Sequence, residues 1–246
     1  MWVDRHVAGV AGVAERAMEA LVGVSTPSGD VPGAETAGQL APDGEEAVVV
    51  RRKAAGTIEV RAFGASAHSG SAPDRGRNAL LALAAAAQHV AACHDPAGPD
   101  RLTAVPTVIR SGEVFNAVPA EGELICDVRA LTAEVFERVI EAVPEEVGGA
   151  RLETRLLRRW PGMDSRAATA GTLERATALL GRPIVAGGRG GASDASYFAG
   201  AIPVTIDGLG PRGGGAHTPD EYVNAPSLRA RAEVALAVIA ALLDLG

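Results

Sequence analysis

The order of elements written into residues 53 to 160 constrains this chain more than any other feature. Apolar residues fall at strand spacing in TIEVRAFG, LTAVPTVIR, EGELICDVRA and ARLETRLLRRW, and helical stretches run from Arg77 to about Cys93 and from Thr132 to Val143. The resulting order, β-α-β-β-α-β, predicts a pair of split βαβ units closing into a four-stranded antiparallel sheet with two helices on one face. The boundaries carry their own chemistry. Thr132 is placed to cap the second helix, with Glu134 and Val135 opening its first turn, and Asp95 and Pro96 close the first helix. The segment has the length of one compact domain.

On either side the pattern changes. Val7, Val10, Ala14, Ala17, Met18 and Leu21 recur at helical spacing over residues 6–22, and STPSGD then stops the helix. VPGAETAGQLAPDGEE follows with no periodicity and many breakers. After the sheet segment the chain reads helix (Ala167 to Leu180), strand (Pro183 to Ala186), glycine loop, short helix, buried strand (Pro203 to Ile206), a loop carrying His217, and a long helix. This αβαβα run suits a sheet with helices on both faces. The expected architecture is therefore α/β, with one domain formed by residues 1–55 and 161–246 and a second, residues 56–160, inserted into it.

Composition narrows the function classes. With 246 residues and a formal net charge of −7, the chain can bury a sizeable core but lacks the basic surface that a nucleic-acid or anionic-membrane partner needs. Its basic residues are nearly all arginine, Lys53 being the only lysine, which together with heavy alanine and glycine use reads as the codon bias of a GC-rich bacterial genome. Cys93 and Cys126 are too few for a disulfide framework, and a reducing cytoplasm is the expected compartment. HVAGVAGVA looks superficially like a signal-peptide core, but Asp4, the glycines and the continuation ERAMEA fit an amphipathic helix better. The longest apolar run, Ala235 to Leu243, is too short to cross a bilayer.

Four local patterns then line up: TPSGD at 26–30, GASAHSGSAPDRGRNA at 64–79, SGEVFNAVPAEGELICDVR at 111–129, and GGASDASYFAG through GAHTPDEYV at 190–223. In order and spacing the set resembles the M20 family of metallohydrolases, enzymes of the aminoacylase and glutamate carboxypeptidase type. Those enzymes have a zinc-binding domain split by an inserted lid, or dimerisation, domain of the β-α-β-β-α-β kind. The resemblance implies a catalytic role for His68, which matches the lid histidine that in dimeric members reaches the partner's active site and polarises the scissile carbonyl. Asn116 and Arg129 match polar lid groups that hold the substrate's carboxylate, a task suited to the planar fork of an arginine. His217 matches a zinc-ligating histidine. Read from the residues alone, Asn116 could instead shape the turn before Pro119, Arg129 could be a solvated strand end, and His217 could cap or pack.

One region departs from the family. Between the TPSGD-like turn and the lid, M20 enzymes carry a His-x-Asp motif, a bridging aspartate, a Glu-Glu pair and a further acidic ligand. VPGAETAGQLAPDGEEAVVV has no His-x-Asp and no histidine at all. Glu35 stands where it could be the last acidic metal ligand. Glu45 and Glu46 read as a charged turn before a strand, and His6, His89 and His94 lie away from any motif. A catalytic zinc needs about three protein ligands plus water, and a two-metal site needs more. His217 and Glu35 do not reach that number. The expectation is an M20-type peptidase or amidohydrolase on N-acyl amino acids or small peptides, internally truncated and inactive as written, with zinc as the family's cofactor. A homodimer through the lid is expected, with a small carboxylate as ligand. The alternative is a non-catalytic carboxylate-binding or dimerisation protein derived from that fold.

Overall fold

A computed structural model describes residues 46–215 and 218–244. The helix expected over 6–22, the TPSGD turn and Glu45 lie outside these residues. The described chain forms two compact units: Lys53–Gly162, and a second made of the chain up to Arg52 and from Met163 onward. The first strand, β1 (Ala47–Arg52), belongs to the second unit.

Lys53–Gly162 holds β2 (Ala54–Phe63), α1 (Ala79–Ala92), β3 (Thr103–Ser111), β4 (Glu121–Ala130), α2 (Phe136–Glu141), β5 (Glu146–Val147) and β6 (Ala150–Trp160). The sheet order is β3-β4-β2-β6-β5, and every pair is antiparallel. The four predicted strands are present, but the sheet has five. Gly148 and Gly149 both adopt positive φ, 58° and 77°, which lets a two-residue hairpin fold Glu146 and Val147 back onto β6. The second helix also differs from expectation. Residues Ala133–Val135 form a 3₁₀ turn that runs into α2, and the Thr132 side chain makes no capping bond to it. That hydroxyl bonds the Glu134 carboxylate instead.

Alternation assigns the two faces of the sheet. Ile58, Val60 and Ala62 of β2 and Leu124, Cys126, Val128 and Ala130 of β4 point inward and are fully or almost fully buried. They meet Ala79, Ala82, Leu83, Ala86 and Val90, which form one stripe of α1, and Phe136 and Val139 of α2. Asn78 caps α1, its Oδ1 accepting from Leu81 N at 3.2 Å. Gly56 allows α2 its close approach, because a Cβ there would lie 2.9 Å from the Phe136 ring and from Val128. The opposite face carries Ala55, Thr57 and Glu59 in the central strand.

In the second unit, β1 lies between β7 (Met163–Asp164, antiparallel) and β8 (Val185–Arg189, parallel). Two helices, α3 (Arg166–Leu180) and α5 (Ser227–Leu242), pack Leu173, Ala176, Val234, Ala237, Val238 and Ala241 against Val48 and Val50. The short helix α4 (Ala195–Ala199) is present as predicted. The strand expected at Pro203–Ile206 is not. Thr205 N and Oγ1 turn back onto Pro203 O and Ile202 O, at 3.1 and 2.6 Å, and Pro203 has no N–H to give a ladder. Only Asp207 pairs with the sheet, in an isolated bridge to Val49.

Candidate functional site

The loop after β2 carries His68, and the β3–β4 connection carries Asn116. Val118 N donates to Ala67 O at 2.8 Å, Ser69 N donates to Asn116 O at 3.0 Å, and His68 forms an isolated antiparallel bridge with Ala117. The two loops are thus laced together and both residues are exposed. His68 Nδ1 accepts from Gly70 N and Ser71 N at 3.1 and 3.2 Å. In the neutral ring the proton therefore sits on Nε2, so the side chain offers a donor, as an oxyanion partner must. A cleft of about 560 Å³ adjoins this end of the sheet, lined by Arg61, Phe63, Ser66, Arg110, Glu121 and Glu123 among others. Arg110 pairs with Glu123 at 2.5 Å, so the wall is locally neutralised.

Arg129 stands elsewhere. It lies near the far end of β4, eight residues beyond Glu121, and strand rise puts it about 27 Å along the sheet from the end where His68 and Asn116 meet. Sequence reasoning placed Asn116 and Arg129 on one carboxylate; within a single lid they do not converge. Arg129 leaves the helix-free face of the sheet with its side chain 15% exposed. Its Nε donates to Asp127 Oδ2 at 2.8 Å and its Nη2 to Asp127 Oδ1 at 3.2 Å. The cross-strand register builds two rows here: Asp127, Thr57 and Arg158 in one, Arg129, Ala55 and Trp160 in the next. Arg158 stacks 4.7 Å above the Trp160 ring. Burial, then the Arg158 charge, lower the Arg129 pKa from its ordinary value, yet a guanidinium remains charged. Burial pushes the Asp127 carboxyl above its ordinary value, and Arg158 opposes the shift.

Glu35 and His217, the candidate metal ligands, lie outside the described residues, but the stem of the His217 loop is described. Two short strands, β9 (Gly213–Gly214) and β10 (Tyr222–Val223), pair antiparallel at its base. Arg231 of α5 is 1% exposed and donates from Nε to Gly210 O at 3.1 Å and from Nη2 to Gly208 O. Asp207, which precedes the loop, accepts from Arg52 Nε at 2.6 Å. Burial alone would raise the Asp207 carboxyl, but the Ser193 hydroxyl, the Arg52 charge and Gly208 N–H hold it below its ordinary value. Sequence reading missed Arg231 and Arg52. An arginine in an apolar helix was the available signal for the first, since such a residue is buried only when its donors are used.

Among the described residues no group of three or more His, Cys, Asp or Glu is placed to hold a metal ion. These residues alone therefore do not fit the metal centre that the fold family implies. Cys126 is buried, its thiol pushed up to about 11 by burial, and suits a packing role.

Residues 50–153 match the family described as the peptidase dimerisation domain. Carboxypeptidase G2 from Pseudomonas sp. (strain RS-16) is 26% identical over 216 residues, covering 82% of this chain and 50% of that protein. Among solved structures, aminopeptidase PepT from Bacillus cereus superposes with a TM-score of 0.69 at 23% identity, over 82% of this chain and 55% of that one. A tripeptidase from Staphylococcus aureus gives 0.64 at 22% identity, over 79% and 53%. Residues 50–153 thus carry the peptidase dimerisation domain, and the chain as a whole is similar to M20 peptidases. It spans about half the length of the relatives it matches.

Proposed function

We propose that this chain is an M20-type hydrolase by descent, of the kind acting on N-acyl amino acids or small peptides, internally truncated and without turnover of its own, whose lid keeps a seat for a ligand carboxylate. The contrast between its two halves supports this reading. His68, Asn116 and Arg129 all stand in a complete β-α-β-β-α-β unit, whereas the stretch between the TPSGD turn and the lid offers only Glu35 as a metal ligand beside His217. Two such donors fall short of the roughly three protein ligands plus water that a catalytic zinc requires. The expected result is hydrolysis of N-acetylated amino acids and dipeptides no faster than the buffer blank, with or without added zinc or cobalt. Turnover that rises with metal and disappears in His217→Ala would overturn the truncated reading. We place the protein in the cytoplasm on its free cysteines and on the absence, among the described residues, of any helix long and apolar enough to cross a membrane.

Assembly belongs to the same proposal. His68 and Asn116 present their groups about 27 Å along the strands from Arg129, so one site can use all three only if a second copy supplies some of them. Strand β3 is an edge of the sheet, and its Val105 and Ile109 are 42% and 46% exposed. An exposed apolar edge is a template for pairing with another copy. Light scattering at tens of micromolar is expected to return a dimer mass, and Val105→Lys to shift it toward the monomer. A monomer for the unmodified chain would sink this arrangement.

A further inference from the structure

We propose, on the reading of Arg129 as the seat of a ligand carboxylate, that Asp127 is an internal competitor for that seat, so that anion binding tightens when Asp127 is neutral. A guanidinium binds a carboxylate through a pair of N–H groups along one edge. Asp127 already takes such an edge, with Oδ2 on Nε at 2.8 Å and Oδ1 on Nη2 at 3.2 Å. The two residues are neighbours at i and i+2 of one strand, so both side chains leave the same face and the contact needs nothing from elsewhere in the chain.

The surroundings make this carboxylate easier to neutralise than most. Opposite it on β2 stands the neutral Thr57, beyond that Arg158 on β6, and on its β3 side Val105. The next charged row holds Glu59, whose Oε2 accepts from Arg155 Nε at 2.5 Å. The helices lie on the other face of the sheet and present no charge to Asp127. Among the described residues, then, Arg129 and Arg158 are the cations that stabilise its anion, and burial outweighs Arg158. When Asp127 takes a proton, two acceptors on the guanidinium edge become one. The group of Asp127, Arg129 and Arg158 changes from a net charge of +1 to +2. Both changes favour an incoming anion.

Titrating the full chain with N-acetylglycine, followed by amide shifts, tests this between pH 7.5 and 4.5. Over that range the ligand stays ionised, since α-carboxyl groups titrate at about 3.5. At pH 7.5, Asp127→Asn is expected to bind about fivefold more tightly than the unmodified chain, a size set by removing one nearby like charge at a partly solvated site. The unmodified chain should tighten as pH falls, and Asp127→Asn should be flat by comparison. Arg129→Ala should abolish binding in either background. Equal or weaker binding by Asp127→Asn, with Arg129→Ala still abolishing it, overturns the competitor and leaves Asp127 a residue that positions Arg129. Binding that survives Arg129→Ala overturns the seat itself, and the competitor with it. Should Asp127→Asn not fold, a flat or weakening pH profile of the unmodified chain overturns the proposal by itself.

Discussion

Phe136→Ala is expected to cost the lid unit about 3–5 kcal/mol, enough to lower its melting temperature by on the order of 15 °C or more. Phe136 has no exposed surface and opens α2, where its ring sits directly over Gly56 of the central strand. Gly56, directly across from the ring, has no side chain to move into the space. The cavity would therefore stay open, and cavity volume is what separates the cheap core truncations from the expensive ones. The same contact predicts the reverse experiment. Gly56→Ala places a methyl 2.9 Å from the ring, so it should also destabilise, by about 1–3 kcal/mol. Combined with Phe136→Leu, which vacates that side of the ring, it should cost less than the two single changes added together. Calorimetry on the four chains measures the coupling, and strict additivity would show that ring and strand do not share this contact. For function the consequence is indirect but large: Asp127 and Arg129 are held on the far face of the strands that α2 braces.

Most of the lid was legible because its sheet has one buried face. In EGELICDVRA, Leu124, Cys126, Val128 and Ala130 alternate with residues of the other face, and a period of two admits one register against a helix layer. The short β5 was missed because two residues carry no period, although Gly148-Gly149 was a hairpin signal that could have been taken. Pro203–Ile206 misled for the opposite reason. A short apolar run bounded by breakers looks like a buried strand, and only the surrounding bonds reveal that Thr205 spends its donors locally. Site residues divide in the same way. Matching patterns nominated His68, Asn116 and Arg129 as candidates, but not how they are distributed, which depends on strand length: Asn116 precedes β4 and Arg129 nearly ends it. Asp127 had no signal of its own, since a carboxylate two residues before an arginine is common on any exposed strand. Its meaning comes from burial and from the edge of the guanidinium it occupies.

Arg231→Met is expected to loosen the stem of the His217 loop and to cost about 3 kcal/mol. Exchanging a buried ionic group for an apolar one of similar length is often neutral, because the desolvation of both partners is relieved together. Here the acceptors include the main-chain carbonyls of Gly208 and Gly210, which cannot be substituted away and would be left without a charged donor. The stem has little freedom to find new partners. Gly208 adopts φ +69° and lies so close to Val49 that a Cβ would come within 2.8 Å of its side chain, while Arg212 N is already bonded to Ser227 Oγ at 2.9 Å. The cheaper response is for the carbonyls to turn toward water, taking the loop with them. Amide exchange at Gly208 and Gly210 should accelerate by at least tenfold, whereas amides in Lys53–Gly162, a separate compact unit, should be unchanged. Uniform acceleration across both units would mean that Arg231 supports global stability and not the loop. Unaltered exchange at the two glycines would mean that the loop is held without it. If the expected pattern appears, the proposed metal ligand His217 depends on a buried arginine fourteen residues away in sequence, and His217→Ala and Arg231→Met should weaken any zinc binding alike.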